Sequence, residues 1–146
     1  MTMLQSDVAA PAGTVFLVDD DDDVRSALRF LLESEGLTVR AYSCPEGLLA
    51  EGGTRRDGCL VTDYNMPGMN GLELVSALRN RGDSMPAILV TSDSNRTVRD
   101  RATAANVPLI DKLNSADSLV SQIKEVMSAA KLSAASPCLT NSRLTN

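Results

Sequence analysis

The sequence contains no histidine and no tryptophan, and only two phenylalanines and two tyrosines occur among its 146 residues. Without histidine, the chain has no Ser-His-Asp triad, no histidine-containing metal site and no role as a phosphohistidine carrier. Hydrophobic residues nevertheless make up 43% of the chain. The core is therefore expected to consist of aliphatic side chains.

Cysteine is also scarce. Cys44, Cys59 and Cys138 are odd in number and lack C-x-x-C spacing, so neither a disulfide framework nor a zinc site is indicated. Such scattered thiols fit a reducing cytoplasm. No stretch approaches the roughly 20 apolar residues of a membrane span, and no signal-peptide core is visible. The sequence therefore predicts a soluble, cytoplasmic chain that does not contact membranes.

Short apolar runs alternate along the chain with segments of helical periodicity. The runs predict strands at 14–18, 37–41, 59–62, 87–90 and 107–110, each followed by a helix. Five strands alternating with five helices predict a doubly wound α/β fold, a parallel sheet in the order 2-1-3-4-5 as in flavodoxin. Pro108 fits this order, because it would lie in the fifth strand, at an edge. We expect an arm at 1–13, one folded domain at 14–131 and a flexible tail at 132–146.

Several residues have the properties of helix ends. Asp22 and Asp23 occupy the positions of an N-cap and first-turn acids before the first helical pattern. Gly36 is placed to follow the end of that helix. Asn70 and Glu73 have the spacing of a capping box, which predicts the start of the third helix at this point.

Polar residues follow four of the predicted strands, at the points where the strands end. They are Asp19 and Asp20 after the first strand, Asp63 after the third, Thr91 after the fourth and Lys112 after the fifth. Open α/β sheets bind ligands outside the carboxyl ends of their strands, where the strand order reverses. Three carboxylates, a hydroxyl and an ammonium group are therefore expected to meet in one cleft.

The residue types expected in this cleft suit few ligands and few reactions. Carboxylates packed closely repel one another unless a cation shares the site, and oxygen ligands without histidine or cysteine favour Mg²⁺. A metal ion, a lysine and a hydroxyl around one carboxylate nucleophile are what phosphoryl transfer requires. Each residue alone has a structural explanation, as a helix cap, a turn or a surface charge. Their joint placement at four strand ends favours a phosphoryl-transfer site.

Four separated motifs resemble the signature of bacterial response-regulator receiver domains, which have the CheY-like fold. They are VDDD at 18–21, DYNMPGMNG at 63–71, TS at 91–92 and the lysine at 112. The resemblance covers roughly residues 14–130, and the stretches VDDD at 18–21 and CLVTD at 59–63 are especially similar to receivers of nitrogen-fixation-type transcriptional regulators. Since those regulators carry a DNA-binding domain after the receiver, whereas no output domain is recognised here, the chain is expected to be a stand-alone response regulator.

The resemblance implies a role for each matched residue. Asp63 would accept a phosphoryl group from the phosphohistidine of a sensor histidine kinase, Thr91 would hydrogen-bond that group, and Lys112 would pair with it. The implied Mg²⁺ ligands are Asp19 through water, the side chains of Asp20 and Asp63, and the backbone carbonyl of Asn65. The chain would then catalyse only its own phosphorylation and dephosphorylation, and would not otherwise be an enzyme.

The implied output is a protein contact. The expected partners are a downstream protein target, a phosphotransfer protein, or a second copy of the chain that binds through the fourth helix, fifth strand and fifth helix. The alternative output is a sink that drains phosphoryl groups from the kinase. Direct nucleic-acid binding is not expected, because the net charge is −5. Arg96, Arg99 and Arg101 make the fourth helix locally basic, but this pattern favours a solvated or protein-contacting face.

Two positions depart from the family pattern. Leu113 replaces the proline that usually follows the lysine through a cis peptide, and a cis bond before another residue costs about 3–4 kcal/mol. Leu109 replaces the usual tyrosine or phenylalanine, whose ring swings inward on activation. These changes leave open a pseudo-receiver that binds proteins without phosphorylation. A haloacid-dehalogenase-type phosphatase is less favoured, because Asn65 stands where those enzymes have a second aspartate.

Overall fold

A computed structural model describes residues 14–51, 58–92, 95–111 and 116–135 of the chain. Within these residues, five strands alternate with five helices. The strands are β1 (Thr14–Val18), β2 (Thr38–Tyr42), β3 (Gly58–Asp63), β4 (Ala87–Thr91) and β5 (Leu109–Asp111). The helices are α1 (Asp22–Ser34), α2 (Pro45–Glu51), α3 (Gly71–Asn80), α4 (Arg96–Ala104) and α5 (Ala116–Ala135).

The five strands form one parallel sheet in the order β2-β1-β3-β4-β5. This confirms the predicted fold class and strand order. The pairing register brings the carboxyl ends of the strands level: Val18 of β1 lies opposite Thr62 of β3, and Asp63 lies opposite Val90 of β4. Residues that directly follow these strands are therefore delivered to one edge of the sheet, where the polar residues were expected to meet.

Apolar side chains of the inner strands alternate between two core layers, because successive side chains of a strand point to opposite faces. One layer lies under α2, α3 and α4 and includes Phe16, Val18, Leu48, Leu60, Leu74 and Leu89. The other lies under α1 and α5 and includes Val15, Leu17, Leu32, Val61, Ile88 and Ile123. Most of these side chains are aliphatic, as the composition predicted.

The helix ends agree with the sequence signals, with one shift. Asp21, and not Asp22, is the N-cap of α1, where its side chain accepts from the backbone N–H groups of Asp23 and Val24. Gly36 follows α1 with φ +88°, the left-handed conformation that glycine tolerates at a helix end. The predicted capping box is present at the start of α3: Asn70 and Glu73 each accept from the backbone N–H of the other, both at 2.8 Å.

The fifth strand begins later than predicted, at Leu109 instead of Val107. The N–H of Val107 donates to the carbonyl of Ala102 at 2.9 Å, so Val107 completes the C-terminal turn of α4. Pro108 has no N–H to give to the sheet, although its carbonyl accepts from Leu89 at 2.8 Å. β5 is nonetheless the edge strand that the position of Pro108 implied.

The last helix extends beyond the predicted end at Lys131 and reaches Ala135. The predicted arm at 1–13 lies outside the described residues, as does the tail after residue 135. Within the described part of the chain, no helix combines the length and apolar character that crossing a membrane requires.

Candidate functional site

Three carboxylates meet at the carboxyl ends of β1 and β3. Asp19, Asp20 and Asp63 each offer one carboxylate oxygen, and these oxygens lie within 4.8 Å of one another. We refer to these three residues as the acidic cluster. Asp19 is 1% exposed and Asp63 is 7% exposed, whereas Asp20 faces solvent. The donor set consists of oxygen atoms, and it fits a hard divalent cation with room for water on the side of Asp20.

Asp19 is held in place through its backbone and its side chain. Its N–H donates to the carbonyl of Tyr42 at 3.2 Å, which continues the pairing of β1 with β2 by one residue. One carboxylate oxygen accepts from the N–H of Asp21 at 2.9 Å. Its backbone carbonyl accepts from the guanidinium of Arg25 at 2.8 Å, and Arg25 also pairs with Asp22. Sequence analysis did not identify Arg25, although it lies only two residues after the aspartate run.

Asp63 ends β3, and all six residues of that strand are buried. The chain then turns back toward the sheet: the N–H of Tyr64 donates to the carbonyl of Val90 at 3.0 Å, and its carbonyl accepts from Gly71 at 2.9 Å. The N–H of Asn65 lies 3.4 Å from a carboxylate oxygen of Asp63. The backbone on the C-terminal side of Asp63 is thus fixed to both β4 and α3.

Gly71 allows α3 to begin directly against the end of β3. A Cβ atom at this position would lie 2.6 Å from the backbone carbonyl oxygen of Asp63 and 2.7 Å from the side chain of Leu89. Such distances are too short for any side chain, so glycine is required by close packing. The sequence showed this glycine after the Asn70 cap but gave no sign that its neighbour would be the backbone of Asp63.

Thr91 is fully buried at the end of β4, next to the strand that carries Asp63. In the sheet it lies opposite Asp111, the half-buried last residue of β5. Leu109 is partly buried and packs on the core layer under α4. Lys112 and the Lys112–Leu113 peptide lie outside the described residues, so their predicted place near the acidic cluster remains a prediction.

A shallow cleft of about 390 Å³ opens beside β5. It lies between β5 and α4 and is lined by Arg99, Ala102, Thr103, Val107, Pro108, Leu109 and Asp111. The lining thus combines apolar side chains with charged and hydroxyl groups. It adjoins Asp111 at the carboxyl end of β5, the edge strand that is separated from β1 by β3 and β4.

Comparison with known proteins identifies the class of this fold and site. The family model of the response regulator receiver domain matches residues 15–124, and this chain belongs to that family. The transcriptional regulatory protein FixJ of Azorhizobium caulinodans is 47% identical over 77 residues, covering 53% of this chain and 36% of that protein. FixJ of Rhizobium meliloti is 39% identical over 103 residues, covering 68% of this chain and 49% of that protein.

A solved structure gives the same result. The crystal structure of FixJ-N matches with a TM-score of 0.72 at 32% sequence identity, covering 80% of this chain and 94% of FixJ-N. These similarities confirm the predicted resemblance to receivers of the nitrogen-fixation type. The chain spans at most about half the length of the two curated FixJ relatives.

Proposed function

We propose that this chain accepts a phosphoryl group on Asp63 from the phosphohistidine of a sensor histidine kinase. The acidic cluster carries the proposal, because three carboxylates within 4.8 Å of one another suit a site that binds a cation and a phosphoryl group together. Asp63 contributes the nucleophile from the end of a fully buried central strand. Its low exposure limits the access of water to the carboxylate.

In the proposed reaction, a carboxylate oxygen of Asp63 attacks phosphorus while the phosphorus–nitrogen bond of phosphohistidine breaks. The imidazole leaves with the bonding electron pair and takes up a proton, and an aspartyl phosphate remains on the chain. Asp19, Asp20, Asp63 and the backbone carbonyl of Asn65 are the proposed Mg²⁺ ligands. When bound, Mg²⁺ would offset the negative charge that collects as phosphoryl oxygens approach the acidic cluster.

Thr91 and Lys112 are the proposed partners of the transferred group, as the receiver motifs imply. Thr91 is buried beside the acceptor strand, and its neighbour Val90 lies opposite Asp63 in the sheet. A hydrogen bond from the Thr91 hydroxyl to the phosphoryl group would pull the end of β4 inward. Because α4 begins a few residues later, that movement would be passed to the helix.

The proposed chemistry acts on a carboxylate of the chain itself. We therefore propose no separate substrate that is turned over, beyond self-phosphorylation with a phosphodonor and hydrolysis of the resulting aspartyl phosphate. The proposed signal is the difference in conformation between the two states of Asp63.

The proposed output is a protein–protein contact on the face formed by α4, β5 and α5. The cleft beside β5 supports this choice, because Leu109 and Pro108 offer apolar surface while Arg99 and Asp111 offer charged groups. Partners of the proposed kind are a downstream protein target, a phosphotransfer protein or a second copy of the receiver.

A phosphorylation-independent binding module is the second candidate function. The observation that favours it is Leu109, a partly buried aliphatic side chain where receivers of this family usually carry an inward-swinging aromatic ring. A module of this kind would keep the fold and the α4–β5 cleft but would bind its partner equally well without a phosphoryl group.

The experiment that tests the proposed function is incubation with Mg²⁺ and acetyl phosphate, followed by intact-mass measurement. The wild-type chain should gain one phosphoryl mass, and Asp63→Asn should gain none because an amide is not a nucleophile of this kind. Asp100→Asn, an exposed substitution on α4 with the same change of charge, should be phosphorylated like the wild type.

The outcomes separate the two candidates. Phosphorylation of the wild type and of Asp100→Asn, but not of Asp63→Asn, would support the receiver chemistry. A folded wild-type protein that gains no mass would instead favour the binding module. Appreciable phosphorylation of Asp63→Asn would show that the acceptor has been assigned to the wrong residue.

A further inference from the structure

Tyr64, the residue that follows the proposed acceptor, is joined to α4 by a side-chain hydrogen bond. Its phenol oxygen accepts from the guanidinium of Arg101 at 3.2 Å. Tyr64 is only 7% exposed, and its ring belongs to the same apolar core layer as Val98 and Ala102, which form the buried face of α4. The side chain therefore contacts α4 through packing and through a charge-assisted hydrogen bond.

The backbone of Tyr64 is fixed to other elements. Its N–H is bonded to Val90 of β4, and its carbonyl is bonded to Gly71 at the start of α3. Tyr64 is therefore held by β4 and α3, and the chain joins it directly to Asp63 at the end of β3. Any displacement of α4 relative to that strand must change the bond between the phenol and Arg101, because this bond spans the boundary between them.

We propose that the Tyr64–Arg101 hydrogen bond couples the state of Asp63 to the position of α4. The bond holds α4 in its resting place, and it is lost when phosphorylation moves the end of β4 and the start of α4. The coupling gives this chain a connection between site and surface that does not use an aromatic ring on β5, where Leu109 stands. This inference rests on the proposed phosphorylation of Asp63.

Thermodynamic linkage between the hydrogen bond and phosphorylation determines whether removing the bond raises or lowers phosphorylation. A bond present in the resting state and absent in the phosphorylated state opposes phosphorylation, so removing the bond makes phosphorylation easier. A net contribution typical of an ordinary, partly solvent-exposed hydrogen bond corresponds to about a three- to tenfold change in the conformational equilibrium. By reciprocity, a partner protein that engages Arg101 would also favour phosphorylation of Asp63.

The test uses substitutions at both ends of the bond. Tyr64→Phe keeps the ring in the core and removes the phenol oxygen, and Arg101→Met keeps much of the side-chain length and removes the donor. Arg101→Lys restores a cationic donor. Arg96→Met is the matched control, because it removes the same charge from an exposed position on the same helix.

Two measurements are made on each protein. Hydrogen exchange of residues 95–105 without phosphodonor reports how firmly α4 is held, and intact mass against time reports the rate of phosphorylation by acetyl phosphate. Tyr64→Phe and Arg101→Met should each raise both rates about three- to tenfold, and combining them should add little further. Arg101→Lys should lie near the wild type, and Arg96→Met should match it.

The possible failures are distinct. Unchanged exchange of α4 in both variants would overturn the inference without reference to phosphorylation. Faster exchange with an unchanged phosphorylation rate would also overturn it, because the bond would then have a structural role only. Absence of any mass gain in the wild type would be a failure of the proposed function itself.

Discussion

The carboxyl ends of β1 and β3 differ from that of β5 in how firmly they are built. β3 is buried over all six of its residues and pairs with strands on both sides, and it carries Asp63 into the acidic cluster. β5 has three residues, all partly exposed, and among the described strands it pairs only with β4. We call these the central half and the edge half of the site.

The two halves also differ in how well they keep the receiver motifs. The central half carries the motif residues Asp19, Asp20 and Asp63, whereas Leu109 of the edge half departs from the pattern. A residue packed between two strands and under a helix tolerates little change in shape, while a partly exposed edge residue tolerates more. The proposed chemistry of this receiver therefore depends on the tightly packed central half, whereas its proposed output depends on the edge half, where packing restricts the side chains less.

The largest difference between the halves should appear in thiol reactivity. Burial raises the pKa of the Cys59 thiol on β3 to about 12, so little reactive thiolate forms even in mildly alkaline solution. With Cys44→Ser and Cys138→Ser in place, we expect Cys59 to react with an aromatic disulfide reagent about 1000-fold more slowly than an edge-strand thiol introduced by Ile110→Cys.

This comparison has its own control. The edge-strand protein also carries Cys59→Ala, so that a single thiol is followed in each case. Under denaturing conditions the two proteins should react at similar rates. Similar rates under native conditions would mean that β3 opens as readily as β5, and the proposed difference between the halves would be lost.

The next largest effect is expected at Gly71. Gly71→Ala would press a methyl group against the backbone carbonyl of Asp63 and the side chain of Leu89, and should lower the free energy of unfolding by about 1–3 kcal/mol. Gly47→Ala is the control, because its Cβ would meet Tyr42 at an ordinary 3.5 Å. It should be neutral or stabilising within α2. Urea unfolding of the two variants, with the m-value unchanged, measures the free energy of unfolding of each. Equal unfolding midpoints for Gly71→Ala and Gly47→Ala would contradict the predicted close contact.

A smaller effect is expected for Mg²⁺ binding. Asp20→Asn removes one carboxylate of the acidic cluster and should raise the Mg²⁺ dissociation constant about tenfold, since one charge near the ion is lost. Asp111→Asn, at the end of the edge strand, should change the constant by less than about twofold. Isothermal titration calorimetry gives both values. Equal effects of the two substitutions would place the cation site differently from the acidic cluster.

Much of the fold was predictable because its signals are local. β1 was predicted with its observed bounds, since its apolar run is continuous and ends abruptly at the aspartates. The Asn70–Glu73 capping box was visible as a spacing of three residues. β5 was predicted wrongly at its start, because the N–H of Val107 is used by the last turn of α4, and a single apolar residue does not reveal that choice.

The acidic cluster was predictable for a different reason. Once the strand order was inferred, the positions of Asp19, Asp20 and Asp63 at strand ends determined that they would meet. The bond between Tyr64 and Arg101 was not predictable, because the two residues are 37 positions apart and the motif that contains Tyr64 does not include Arg101. The approach of Gly71 to the backbone of Asp63 likewise depends on packing between elements, which residue spacing does not report.

The attachment of Tyr64 to β4 and to α3 has a consequence for the direction of signalling. Asp63 precedes a residue whose N–H and carbonyl are both hydrogen-bonded to neighbouring elements, so the proposed nucleophile would have little freedom to move away on accepting a doubly charged group. Under the proposed function, the resulting change in structure would then appear mainly in α4, and not in the backbone next to Asp63. In a receiver anchored in this way, the modified residue would stay nearly in place while α4, on the other side of Tyr64, changes its position.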